Sequence, residues 1–90
     1  MGVSAGRSGH RWRVMRENLK MQRKPCWLCG QAIDYEAPAN DPNAFEPDHY
    51  YPVSTHPQLA NDPANLRASH QRCNRSRGNQ PPNQGVWVQA

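Results

Sequence analysis

Trp12, Met15 and Leu19 recur at three- and four-residue spacing, a period that predicts an amphipathic helix from His10 to Arg23. The stripe is expected to pack on the domain, with Arg13, Arg16, Lys20 and Arg23 on a neighbouring basic face. Val14 and Met21 fall well off it, so the apolar face is narrow. Pro25 ends the helix. Residues 34–47 then hold three prolines and two asparagines and read as loop. The run HYYPV, residues 49–53, predicts part of a strand, which Pro52 confines to an edge or an end. Another turn-rich stretch leads to LRA, residues 66–68, as a brief return strand. Ser69 is the expected N-cap of a helix running from about His70 to Arg77, with Gly78 as its stop. Residues 1–9 are rich in Gly and Ser and are expected to be flexible, and 80–90 form a tail with little beyond Val86, Trp87 and Val88 to fold around. That leaves one domain over 10–79.

A hydrophobic fraction of 36% with a single Phe makes a thin core for 90 residues. Chains of this size often need a metal, a disulfide or a partner to hold together. No apolar run reaches a membrane span, and the N-terminus lacks the apolar centre of a signal peptide. MGVSAG begins like a myristoylation signal but carries Gly6 where Ser or Thr is required. A cytoplasmic protein with reduced thiols is therefore expected. In that setting an odd cysteine count points towards metal.

The net charge is +4, and its distribution says more than its total. Residues 1–24 carry seven Arg or Lys against Glu17 alone, residues 25–66 carry six acids and no Arg or Lys, and residues 67–77 add four Arg. An acidic centre between basic segments suits a polyanion held over a cation. Charge alone leaves a solubilising pattern equally open.

Cys26-x-x-Cys29 wants a second pair to close a metal site, but Cys73 is the one further cysteine. His70-x-x-Cys73 repeats the spacing with imidazole in place of one thiolate. On a helix, residues three apart share a face, so both can reach one ion. A Cys₃His set suits tetrahedral zinc and leaves no open position, which makes that zinc structural. The competing reading, buried thiols and a surface histidine, does not account for the matched spacing.

Between and beside these half-sites lie PDHYYPVS and PANLRASHQRCNRSRGN. Cys-x-x-Cys, then Asp-His, then Asn-Leu-Arg, then x-x-Cys-Asn with a basic residue and Gly resembles the HNH endonuclease family, most of all its small zinc-containing phage type. The resemblance covers roughly residues 26–79. It implies an α+β fold, the ββα-metal motif, with a hairpin crossed by a helix around one divalent ion. It also implies His49 as general base, Asp48 and Asn74 as ligands of Mg²⁺, Mn²⁺ or a similar ion, and Asn65 as the residue that braces the His49 loop. His70 stands where the family usually has cysteine, and Asn74 replaces the last histidine of the family name.

The chemistry agrees with these residue types. Hydrolysis of a phosphodiester needs a base for water and a cation for the charge growing on phosphate. Imidazole titrates in the physiological range, and carboxylate and amide oxygens suit hard cations. Asn74 is turned about 100° from Cys73 on a helix, so one helix can serve both metals. Arg77 shares the Asn74 face and is the expected phosphate clamp, with Arg67 and Arg75 as further DNA contacts. Asp48 and His49 pose a difficulty, because consecutive strand residues point to opposite faces.

The expected function is a DNA endonuclease of low sequence specificity, acting on double-stranded DNA and, by the phage-type resemblance, beside a terminase in DNA packaging. The alternative is a zinc-stabilised nucleic-acid-binding module that does not cut.

Overall fold

The computed structural model describes residues 9–82. All but Gly9 of the expected flexible N-terminus and most of the expected tail, Trp87 included, lie outside the described residues. In chain order the elements are α1 (His10–Met21), β1 (Phe45–His49), two short 3-10 turns (Pro57–Leu59 and Pro63–Asn65), β2 (Leu66–His70) and α2 (Gln71–Arg77).

The apolar stripe of α1 docks as its period requires. Met15 and Leu19 are buried with Cys26, Leu28, Ile33, Phe45, Leu66 and Ala68, and Trp12 packs against this cluster. Full burial of the Leu, Ile, Met and Phe side chains among these contributes about 1.5–3 kcal/mol each. Met21, off the stripe, is 74% exposed. The helix closes two residues earlier than expected, when Gln22 N–H turns to Leu19 O and Arg23 N–H to Lys20 O.

β1 and β2 form a two-stranded antiparallel sheet with Phe45 opposite His70 and His49 opposite Leu66. The first strand lies four residues before its expected place, in a stretch that read as loop. Pro47 caused the misreading. It lacks a donor, but in a two-stranded sheet β1 has an edge that needs none. HYYPV instead leaves the sheet after His49, with Tyr50 N–H bonded to Asn65 O at 2.8 Å. β2 runs two residues beyond LRA, so His70 is its last residue and the N-cap of α2. Ser69 is not the cap. Its hydroxyl donates across the sheet to Glu46 O at 2.6 Å. Gly78 ends α2 as expected, in the left-handed region at φ 58° with its N–H on Asn74 O.

β1, β2 and α2 make a ββα unit with α1 added to it. Arg16 lies over Phe45 and Trp12 stacks on His49, whereas Asn74 reaches Glu46 and Arg77 reaches Asp48. The two helices therefore cover opposite faces of β1.

Candidate active site

The knuckle after Pro25 is built by backbone bonds. Cys26 N–H donates to Gln31 O at 2.9 Å and Gly30 N–H to Cys26 O at 2.8 Å. Gly30 has φ 76°, a left-handed turn residue that favours glycine. The turn brings Cys26 and Cys29 to the junction of β2 and α2, where the ligand atoms of Cys26, Cys29, His70 and Cys73 lie within 4.8 Å of one another. His70 and Cys73 converge from a strand end and a helix, not from one helix face. Because the Ala32 carbonyl can only accept, His70 Nε2 donates to it at 2.8 Å. The Nδ1 lone pair is thereby aimed at the sulfurs, 3.3 Å from Cys29 and 3.8 Å from Cys73. Such spacings suit a tetrahedral ion with Zn–S near about 2.3 Å.

The thiols also fit a cation electrostatically. Burial, then the neighbouring Cys26 and Cys29, push the Cys73 thiol up to about 12. Burial raises Cys29 as well, but hydrogen bonds from the Gln31 backbone and the other thiols, with the charge of Arg72, hold it below its ordinary value. A bound dication relieves this mutual repulsion. The cluster is compatible with structural zinc.

A cleft of about 790 Å³ runs along the edge of β1 that β2 leaves unpaired. Trp12 of α1 forms one side, Asn74 and Arg75 of α2 the other, and Glu46, Asp48 and His49 the floor. Asp48 and His49 do turn to opposite faces, yet both border this edge cleft.

His49 is 6% exposed. Its Nε2 donates to Ala60 O at 2.9 Å, since the carbonyl can only accept, and a neutral ring then carries its lone pair on Nδ1. Trp12 covers the ring at 5.5 Å and 16°. Asn65 holds the chain beyond it. Asn65 Oδ1 accepts from Tyr51 N–H at 2.9 Å, and Nδ2 donates to Tyr51 O at 3.1 Å.

Asp48 receives Trp27 Nε1–H at 2.9 Å and Arg77 at 2.8 Å, both on Oδ2. Among the described residues no donor reaches Oδ1. Burial raises the Asp48 carboxyl, against the opposing charge and hydrogen bond of Arg77 and the hydrogen bond from Trp27. Asn74 Nδ2 donates to Glu46 Oε1 at 2.9 Å and points at Pro47 O at 3.5 Å. Both partners are acceptors, so the amide nitrogen must face them and Oδ1 is left for another ligand.

The phosphate-clamp expectation for Arg77 needs correction. It is 1% exposed and lies over the Trp27 ring at 5.0 Å. Its guanidinium donates to Asp48 Oδ2, to the carbonyls of His49 and Tyr50 at 2.6 Å each, and to Gln80 O at 2.9 Å. Although it borders the cleft, that burial, with four of its five N–H groups bonded within the protein, leaves almost no surface for a phosphate. Arg67 caps Ala64 O at 2.6 Å and lies over Tyr50, bordering a separate groove beside α1. Arg75 alone of the three is exposed at the cleft, paired with Glu46 at 3.2 Å.

Sequence reasoning missed Glu46, Trp12 and the inward role of Arg77. Glu46 had a signal, because it stands two residues before Asp48 and so shares its face of the strand. Trp12 had none, since its place over His49 is set by how α1 docks.

Residues 26–80 match the HNH endonuclease family. The chain belongs to it. No curated protein and no solved structure matches the chain. Membership suggests a nuclease, and HNH nucleases act on DNA with divalent metals. The match begins after α1, so the Trp12 cover on His49 comes from outside the family segment. Among the described residues no helix is long and apolar enough to cross a membrane.

Proposed function

We propose that this HNH protein is a metal-dependent endonuclease that hydrolyses phosphodiester bonds of double-stranded DNA with low sequence specificity. The observation that carries the reading is the pairing of His49 with the Ala60 carbonyl. It fixes the tautomer that leaves Nδ1 as a base, in the cleft that also holds Asp48 and Asn74. His49 Nδ1 takes a proton from the attacking water. The water oxygen bonds to phosphorus as the P–O bond to the 3′ oxygen breaks, and that oxygen takes a proton from a solvent water, leaving 5′-phosphate and 3′-hydroxyl ends as the family resemblance implies.

Asp48 and Asn74, each through Oδ1, would hold Mg²⁺ or Mn²⁺, with water and phosphate oxygens filling the remaining positions. When bound, that ion offsets charge on the phosphate and the leaving oxygen. Arg77 fixes the carbonyls of the base itself and of Tyr50 after it, and Asn65 fixes the turn beyond. Cys26, Cys29, His70 and Cys73 would hold zinc and keep α2 against the knuckle.

Arg75 is the cleft contact for a phosphate, a kind of contact that positions DNA without reading bases. The phage-type resemblance further supports a role in the host cytoplasm beside a terminase. Affinity capture of a terminase should then depend on residues 80–90, and capture that is unchanged without them removes the tail from that role.

Supercoiled-plasmid cleavage by the zinc-loaded protein tests the nuclease. Nicking that requires added Mg²⁺ or Mn²⁺ and is lost in a folded His49→Ala variant is expected. DNA binding without cleavage by the wild type would favour the binding module.

A further inference from the structure

Helix α1 carries a charge pattern that neither the core nor the cleft accounts for. At about 100° per residue, Arg16, Lys20 and Arg13 lie about 40°, 80° and 100° to one side of Trp12. Asn18 and Gln22 lie about 120° and 80° to the other side, where they border the separate groove. Because Trp12 walls the cleft and the flank of Asn18 and Gln22, which carries Arg11 as its one cation, faces away from it, the basic flank continues the cleft wall outward. Arg16 lies over Phe45 of β1, which puts this flank beside the strand that floors the cleft.

The flank is also short of counter-charge. Glu17 is the sole acid of α1, and it pairs with Arg16 at 3.0 Å. Among the described residues Arg13 and Lys20 have no ion-pair partner, and the chain has no acid outside those residues. Across the cleft, Arg75 supplies the opposite rim. From Arg13 to Lys20 the helix rises about 10.5 Å. That is the length of about three nucleotides of one duplex strand at about 3.4 Å each.

We propose that the Arg13–Arg16–Lys20 flank of α1 is a seat for the phosphate backbone of duplex DNA, opposite Arg75, so that the strand to be cut crosses the edge of β1 between two basic rims. This rests on the nuclease reading for its substrate and extends it to a helix outside the family segment. Phosphates held on both sides of the cleft keep the scissile bond over His49 without contacting any base.

The test is fluorescence anisotropy of a labelled 20-base-pair duplex with the full, zinc-loaded chain carrying His49→Ala, measured across a salt series. Arg13→Gln with Lys20→Gln is the informative pair. Arg16 is left in place because it packs on Phe45. Each phosphate contact contributes about 0.9 to the slope of log affinity against log salt. The pair should flatten that slope by about 1.8 and weaken binding about 10-fold or more at 0.1 M salt, while Arg11→Gln, on the other flank, leaves the slope as it was. An unchanged slope in the double variant overturns the proposal. So does an equal loss per charge in Arg11→Gln, which would mean that only total charge matters. Plasmid nicking by the unmodified chain tests the nuclease reading separately. If nicking fails and the slope still falls, the α1 seat stands as part of a binding module.

Discussion

The knuckle and the cleft both draw donors from α2, yet those donors are arranged in opposite ways. At the knuckle, three sulfurs and His70 Nδ1 lie within 4.8 Å of one another, four donors for the four positions of a tetrahedral ion. At the cleft, Asp48 and Asn74 each commit one side-chain atom to the protein and keep the other without a protein partner among the described residues. A closed set holds a fold, and a half-anchored pair leaves room for substrate and water. One short helix serves both because Cys73 and Asn74 are adjacent and point about 100° apart.

Removing the closed set is the harshest way to break this contrast. Cys26→Ser, or zinc chelation, should abolish cooperative unfolding by circular dichroism, since structural zinc is worth about 10–16 kcal/mol in small domains. Retention of a normal melt after complete zinc loss would show that the core suffices. Next in size, His49→Ala should lower cleavage by about 10²–10⁴-fold while zinc content is unchanged.

Arg77→Met breaks the buried pair with Asp48, whose partners are 1% and 8% exposed. A loss of about 3–5 kcal/mol is expected in denaturant unfolding, because a buried carboxylate and three carbonyls lose their donor. A loss below about 1 kcal/mol would mean that Arg77 leaves the interior. Trp12→Ala should cost about 1–3 kcal/mol and lower turnover, with Trp12→Phe restoring part of both. Arg75→Ala removes an exposed ion pair and should change stability by no more than about 1 kcal/mol, while weakening DNA binding. That split between stability and binding would be absent if Arg75 served only to hold Glu46.

The closed site was legible from spacing because its ligands come in two matched pairs, Cys26-x-x-Cys29 and His70-x-x-Cys73. The ββα order also followed from the motif, and Asp48, His49 and Asn74 do line one cleft. What escaped depends on tertiary placement. Pro47 hid β1 by reading as a breaker where an unpaired edge tolerates it. Arg77 looked like a surface cation at the end of a short helix, although Asp48 and three carbonyls draw it inside. Trp12 belonged to a stripe whose period announced burial but not its neighbour, His49.

The most direct measurement is Mn²⁺ binding to the zinc-loaded protein by electron paramagnetic resonance, comparing wild type with Asp48→Asn. Two separate sites predict one bound Mn²⁺ per chain, weakened at least about 10-fold by the substitution, with zinc content unchanged. Mn²⁺ binding that ignores Asp48, or that occurs only as zinc is displaced, would contradict the division between a closed site and an open one.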